Sequence, residues 1–329
     1  MLRVGIASFW HVHAMGYAQE VKASGRAELV AAWDEDPERG AAGAGQLGIP
    51  FEPDYDRFLN GVDGLIMTAP TRHHGFLLVR AAAAKKHVFS EKVLAVSGRE
   101  AKDILSAFQR AEAVLELSLP RLYDPNIRTI RQLIQDGALG RVTSMRARAS
   151  HDGAVAGWLP KHFFDAALTG GGAFIDLGAH PVYVANWLLG EPIQVTARLT
   201  RIQEGYRVDD NAGAIVEYRN GAFAEVETSF VNGRHPPLSI EVHGTGGTLY
   251  FGTPSPEIWI KSSQRSSDGF ERIPVEVGQK RSAMDQWLEE VLDHRAREVA
   301  PQEMIRLSQV MEAAEKSSAA GQMVHILAL

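Results

Sequence analysis

No cysteine occurs in the 329 residues, which excludes a disulfide framework, a thiolate metal site and a cysteine nucleophile. An excess of positive charge is missing too. With 34 Lys and Arg against 40 Asp and Glu, the formal net charge is -6, so no global basic field is present to hold a polyanion and no nucleic-acid partner is expected. Long apolar runs are also absent at the start. Met1-Leu2-Arg3 leads directly into Val4-Gly5-Ile6-Ala7, a stretch too short for a secretory h-region or a membrane span, so a cytoplasmic protein without membrane contact is expected. Hydrophobic residues make up 45% and charged residues 22%, a balance that excludes disorder as the main state. The length allows about two domains of roughly 100–200 residues each.

What is present is first a rhythm. Short apolar segments at 3–8, 29–33, 64–67, 87–90 and 114–117 alternate with helix-forming stretches at 13–23, 37–47, 75–84 and 97–111. That alternation predicts a doubly wound parallel sheet with right-handed crossovers. Beyond Pro120 the rhythm changes. A helix over 125–136 and a strand over 141–149 precede a helix near 172–189, after which strands at 193–200, 212–218, 222–230, 238–244 and 248–251 follow one another closely. Arg219-Asn220-Gly221 supplies a hairpin turn. Helices at 282–297 and 301–318 close the chain. The expected organisation is α/β over 1–119, then an α+β domain over 120–329 with a large, mainly antiparallel open sheet.

A doubly wound sheet binds ligands beyond the carboxyl ends of its strands, where an acidic residue ending the second strand can bond an adenosine ribose. Asp34 stands there, and with Glu35 and Asp36 it would repel an extra 2'-phosphate, which favours NAD(H) over NADP(H). The alternative for Asp34 is a cap on the helix starting at Pro37. The first turn lacks the three glycines of the phosphate-binding fingerprint and reads Ser8-Phe9-Trp10-His11-Val12-His13. The helix N-terminus, with His11 or His13, can still supply donors to a phosphate. No third ligand stands near His11 and His13 in sequence, so no metal is expected, although His11, His13, His73, His74, His151 and His162 leave metal analysis a cheap check. Ala69-Pro70-Thr71 with His74 would line the cofactor crevice, or simply form a capped strand-to-helix turn. Glu91-Lys92 ends the next strand, where a lysine beside a nicotinamide can hydrogen-bond a reacting oxygen. Farther on, Asp176 and His180 lie four apart on one expected helix face, a spacing that suits proton transfer at His180 with Asp176 orienting it or holding a hydroxyl. A buried structural bond between the two is the alternative.

Taken together, Asp34, Pro70-Thr71-x-x-His74, Glu91-Lys92 and Gly171-Gly172-x-x-x-Asp176-x-Gly178-x-His180 make the chain resemble the glucose–fructose oxidoreductase, inositol dehydrogenase and rhizopine-catabolism (Gfo/Idh/MocA) family. Val208-Asp209-Asp210-Asn211, Gly244-Thr245-Gly246-Gly247-Thr248-Leu249 and Glu315-Lys316-Ser317-Ser318 are similar to its later segments, so the resemblance runs nearly full length. It implies a Rossmann domain, then a domain whose open sheet forms a homo-oligomer interface in a dimer or tetramer. It also implies NAD(P)-dependent hydride transfer to or from a secondary alcohol of a sugar, inositol or polyol. Lys92 would contact the reacting oxygen, His180 would move the proton and Asp176 would orient substrate and histidine. Arg121, Tyr123, Trp158 and His162 are expected substrate contacts. The family's Glu-Lys-Pro is Glu91-Lys92-Val93 here, and a cis bond before Val93 would cost about 2.5–4 kcal/mol. A silent ligand- or NAD-sensing regulator on the same fold is the competing expectation, motivated by the missing glycines.

Overall fold

The structure, a computed structural model, describes residues 1–233, 238–253, 255–265, 269–275 and 281–326. The chain folds into two compact units. The first takes Met1–Ser118 with Arg281–Ile305, and the second takes Leu119–Lys280 with Arg306–Leu329. The chain therefore passes out of the first unit at Leu119, close to the topology change expected at 120, but returns to it at Arg281.

In the first unit, β1 (Leu2–Ala7), β2 (Ala27–Trp33), β3 (Gly64–Met67), β4 (His87–Ser90) and β5 (Leu115–Leu117) form one sheet in the order β2-β1-β3-β4-β5. Every ladder in it is parallel. Between the strands run α1 (Ala14–Ser24), α2 (Pro37–Leu47), α3 (Tyr55–Asn60), α4 (His74–Ala83) and α5 (Gly98–Ala111). All of β3 is buried, as expected of a parallel strand covered on both faces. Helix starts follow the capping chemistry of the sequence. Asp36 accepts from the Glu38 and Arg39 amides ahead of Pro37 at the first turn of α2, and Ser97 accepts from Glu100 N at α5. The cap on α2 is thus Asp36, leaving Asp34 for another task. Sequence order reverses between β1 and β3, the switch point at which such sheets open a crevice.

The second unit opens with α6 (Pro125–Gln135), β6 (Val142–Ser150), the one-turn helices α7 (Gly153–Ala156), α8 (Ala166–Thr169) and α9 (Ala173–Asp176), and then α10 (Ala179–Leu189). After these come β7 (Pro192–Thr200), β8 (Asn211–Tyr218), β9 (Phe223–Ser229), β10 (Ser239–Gly244), β11 (Gly247–Phe251), β12 (Ile258–Ser262) and β13 (Glu271–Ile273). The remaining elements are α11 (Ala283–Asp293), which belongs to the first unit, α12 (Gln302–Ala320) and β14 (Val324–His325). Among the described residues nine strands pair in the order β13-β12-β11-β10-β6-β9-β8-β7-β14. Their ladders are antiparallel except for β6 with β9. The β8–β9 hairpin turns at Asn220-Gly221, with Gly221 at φ 86°. One expected element is divided: the helix near 172–189 is two helices, α9 and α10, joined through Leu177 and Gly178. Among the described residues no helix is long and apolar enough to cross a membrane.

Candidate active site

The turn after β1 reaches a left-handed conformation without glycine. Ser8 sits at φ 81°, fully buried, and its strained backbone is fixed from several sides. Ser8 N donates to Trp33 O at 2.6 Å, Thr68 Oγ1 donates to Ser8 O at 2.5 Å, and Ser8 Oγ accepts from Trp10 N at 3.1 Å. Phe9 and Trp10 are accommodated by turning their side chains inward. Trp10 is buried, and Phe9 packs on α2 at Gly43, where an added Cβ would lie 2.5 Å from the Phe9 ring. Most amides of the turn are already used. Phe9 N donates to Asp34, His11 N to Thr68 O and His13 N to His11 Nδ1. Val12 N, on a half-exposed residue at the start of α1, has no partner among the described residues and remains for an anion at that helix N-terminus.

Asp34 ends β2 as the sequence expectation has it, but its carboxylate faces inward. Oδ2 accepts from Phe9 N at 2.7 Å and Arg39 Nε at 3.0 Å. Oδ1 accepts from Asp36 N at 2.8 Å and Arg39 Nη2 at 2.6 Å. Four bonds fill the acceptor capacity of a carboxylate, and the side chain has no exposed surface. A direct bond from Asp34 to a ribose therefore requires Arg39 to move. Arg39 also bonds Glu35 at 2.6 Å, whose carboxyl is pushed up by burial and by the neighbouring Asp34 charge. Sequence reasoning missed Arg39 because its guanidinium, one turn into α2, meets Asp34 only after the helix forms.

At the end of β4, Glu91 is buried and held by groups from three elements. Lys92 N donates to Oε2 at 2.6 Å. Oε1 is bonded by His13 Nδ1, accepts from Tyr17 Oη at 3.1 Å and lies 3.4 Å from His11 Nδ1. Because an ionised carboxylate can only accept, Tyr17 spends its hydrogen there and takes one from Ser118 Oγ at 2.8 Å. Burial raises the Glu91 carboxyl, yet His11, His13 and Lys92 outweigh it and hold the group well below the ordinary carboxylate range. The same burial and the Glu91 charge push the Tyr17 phenol well above 10. The third ligand that the sequence does not show beside His11 and His13 is thus Glu91, 78 residues from His13. Lys92 is buried at 6% exposure and the Lys92–Val93 peptide is cis. His74, expected at the cofactor, instead lies among backbone carbonyls: Nε2 is 3.1 Å from Ala69 O and Nδ1 3.0 Å from Val93 O, and whichever nitrogen carries the hydrogen donates to one of them. It ties the Ala69-Pro70-Thr71 loop to the chain after Lys92 and is not free to touch a ligand. Burial pulls its pKa down, against the carbonyls of Leu94, Ala69 and Val93.

In the second unit Asp176 ends α9 and His180 is the second residue of α10. Leu177 and Gly178 between them keep right-handed helical dihedrals, so one-turn spacing persists across the junction. The junction depends on close approach, because a Cβ at Gly178 would sit 2.5 Å from Phe174 O. Asp209, from the segment before β8, clamps the start of α9. Its Oδ1 accepts from Gly172 N and its Oδ2 from Phe174 N, both at 2.8 Å, while Ala173 N donates to Asp209 O at 2.8 Å. Gly172 is obligatory there, since a Cβ would fall 1.9 Å from Asp209 O. Burial raises the Asp209 carboxyl to about 6, opposed by the Phe174 and Gly172 amides.

His180 Nδ1 lies 2.8 Å from the hydroxyl of Tyr183, which is fully buried and accepts from Arg121 N at 3.1 Å. For His180 to take a proton at Nε2, Nδ1 must carry the hydrogen and donate it to Tyr183. Of the expected substrate contacts, Arg121 is brought to His180 through Tyr183. Tyr123 is buried beneath the Arg128 guanidinium, His162 stacks on Phe163, and exposed Trp158 donates to Asp152 and packs on His151. Tyr183 was not singled out by sequence reasoning, and Asp209 entered only within the Val208–Asn211 segment, with no role given to it. Tyr183 stands one turn after His180 and could have been found by that spacing; the clamp that Asp209 makes on Gly172 and Phe174 could not.

Residues 4–118 match the family model described as oxidoreductase family, NAD-binding Rossmann fold, and residues 127–250 match the GFO/IDH/MocA C-terminal domain. The chain belongs to the Gfo/Idh/MocA oxidoreductases. Among its relatives, scyllo-inositol 2-dehydrogenase (NAD(+)) of Bacillus subtilis (strain 168) is 28% identical over 82% of this chain and 78% of its own. Inositol 2-dehydrogenase of Rhizobium meliloti (strain 1021) is 26% identical over 79% and 77%. A levoglucosan dehydrogenase solved with NADH and levoglucosan shares the fold at a TM-score of 0.85, with 21% identity and full coverage of both chains.

Proposed function

We propose that this Gfo/Idh/MocA protein is a dehydrogenase that moves hydride between a nicotinamide and a secondary alcohol carbon of a sugar, inositol or polyol. The observation that carries the reading is that two of the proposed reaction groups, Lys92 and His180, stand in ordered surroundings. Lys92 stands at the carboxyl end of β4 with its backbone fixed by Glu91, and His180 stands on α10 with its ring fixed by Tyr183. Relatives named as inositol dehydrogenases support the substrate class. They are not named as regulators, which leaves the silent-sensor alternative without support.

The first unit fits a dinucleotide. Ser8 supplies the backbone conformation that a glycine would, Val12 N and the α1 N-terminus offer donors to a diphosphate, and Pro70-Thr71 borders the same strand ends. When bound, the nicotinamide accepts or donates the hydride. The chain's own residues handle charge and protons: in oxidation His180 accepts the hydroxyl proton, Asp176 orients His180 or a neighbouring hydroxyl, and Lys92 stabilises the developing oxyanion. For cofactor choice, Asp34, Glu35 and Asp36 support NAD(H), with Arg39 neutralising part of their charge.

Calorimetric titration of NAD(H) and NADP(H), followed by a polyol and sugar screen with Lys92→Met and His180→Ala, tests this reading. We expect NAD(H) to bind more tightly than NADP(H), and each variant to lose turnover by about 100-fold or more. Turnover that survives both substitutions would remove these roles.

A further inference from the structure

We propose that His11, His13 and Glu91 form a binding site for one divalent transition-metal ion of the zinc class, with a coordination position left open. The site rests on this cluster alone and not on the dehydrogenase reading. Its three ligand atoms lie within 4.8 Å of one another, and the two imidazole centroids are 4.5 Å apart.

Two histidines and one glutamate are a donor set that zinc adopts when it keeps its fourth position for water or a ligand, and imidazole with carboxylate suits borderline cations better than magnesium or calcium. The spacing is close to what such an ion needs. Bonds of about 2.0–2.2 Å in a tetrahedron put neighbouring donors about 3.3–3.6 Å apart, and His11 Nδ1 stands 3.4 Å from Glu91 Oε1. Binding the ion requires at least these adjustments. His13 Nδ1 must withdraw from its hydrogen bond with Oε1, and His11 Nδ1 must give up the 3.2 Å bond it accepts from His13 N. The first is easy for the ring of His13, which is 47% exposed, whereas the side chains of His11 and Glu91 are 6% and 3% exposed and fixed.

The surroundings resemble those of a held ligand rather than a casual surface contact. Tyr17, backed by Ser118, holds Oε1 of Glu91 and the Lys92 amide holds Oε2, the kind of support that fixes a metal-binding carboxylate. His13, the residue preceding α1, is the half-exposed member of the cluster, and the neighbouring Val12 amide has no partner among the described residues; we place the open position on that exposed side. An anion taken there would meet both a cation and a helix N-terminus.

The test is zinc binding by the full chain after chelator treatment, measured by calorimetry and elemental analysis, with cobalt substituted as a spectroscopic probe. The expected result is one zinc per chain and a cobalt form with the visible absorption of a four-coordinate site. His11→Gln, His13→Gln and Glu91→Gln should each weaken binding by about tenfold or more, while His243→Gln, at the exposed His243–Glu241 pair on the other unit, should leave it unchanged. Glu91→Gln can fail to fold because the carboxylate is buried, so the half-exposed His13→Gln decides. Absence of stoichiometric binding, or zinc binding that survives His13→Gln in a folded protein, overturns the proposal.

Discussion

Replacing Tyr183 by Phe removes one oxygen and changes two hydrogen bonds at once. The Arg121 amide loses the acceptor 3.1 Å away, and His180 Nδ1 loses the partner at 2.8 Å that selects its tautomer. Because Tyr183 is fully buried, water cannot enter to replace the hydroxyl without a cavity, and a donor left unsatisfied there costs about 1–3 kcal/mol. Two consequences separate. The Arg121 bond contributes to stability, so the urea midpoint should fall by an amount in that range. On the proposed role of His180, the other bond acts on catalysis: with the Tyr183 acceptor gone from Nδ1, the ring divides between tautomers, and only the fraction with a free Nε2 can accept the substrate proton. If about 1–3 kcal/mol of orientation is lost in the transition state, kcat/KM falls about 5- to 160-fold. The loss should be in kcat more than KM, and the acidic limb of the pH–rate profile for oxidation, where the proton-accepting histidine becomes protonated, should move. The assay is steady-state kinetics across pH on whichever polyol proves active, with urea unfolding alongside. An unchanged midpoint together with an unchanged pH profile would refute the claim that this hydroxyl fixes His180.

Two further outcomes follow from the same geometry. Gly43→Ala places a Cβ 2.5 Å from the Phe9 ring, so the ring must leave α2 and draw the first turn with it; dinucleotide titration should show affinity reduced by about tenfold for a displacement costing about 1–3 kcal/mol, and unchanged affinity would mean that Phe9 does not set the turn. Asp209 is raised from 3.8 to about 6, so between those pH values the folded chain holds a proton that the unfolded chain has released. Its contribution to stability is therefore largest below about 4, declines as pH rises through the window and levels off above about 6, a difference on the order of 3 kcal/mol. Urea unfolding of wild type and Asp209→Asn from pH 4 to 7 should show that decline only in the wild type, and parallel curves would contradict it.

The sequence by itself determined the local and periodic features. Alternating apolar and helix-forming segments set the parallel sheet of the first unit, Asn220-Gly221 set the β8–β9 hairpin, and Pro37 marked the start of α2, because each depends on neighbours a few residues apart. Lys92, Asp176 and His180 could be proposed from sequence for the same reason: their type and spacing are local. What tertiary structure decided is the company these residues keep. Asp34 was placed correctly at the end of β2, but only the folded α2 brings Arg39 onto it and fills its four acceptor sites. His74 had the spacing of a cofactor contact, yet burial and three backbone carbonyls make it a clamp. Glu91 joined His11 and His13 across 80 and 78 residues, and Asp209 reached Gly172 across 37. Such pairings arise when strands and helices pack, since the energy that selects them belongs to surfaces assembled from distant segments and leaves no periodic trace in any one of them.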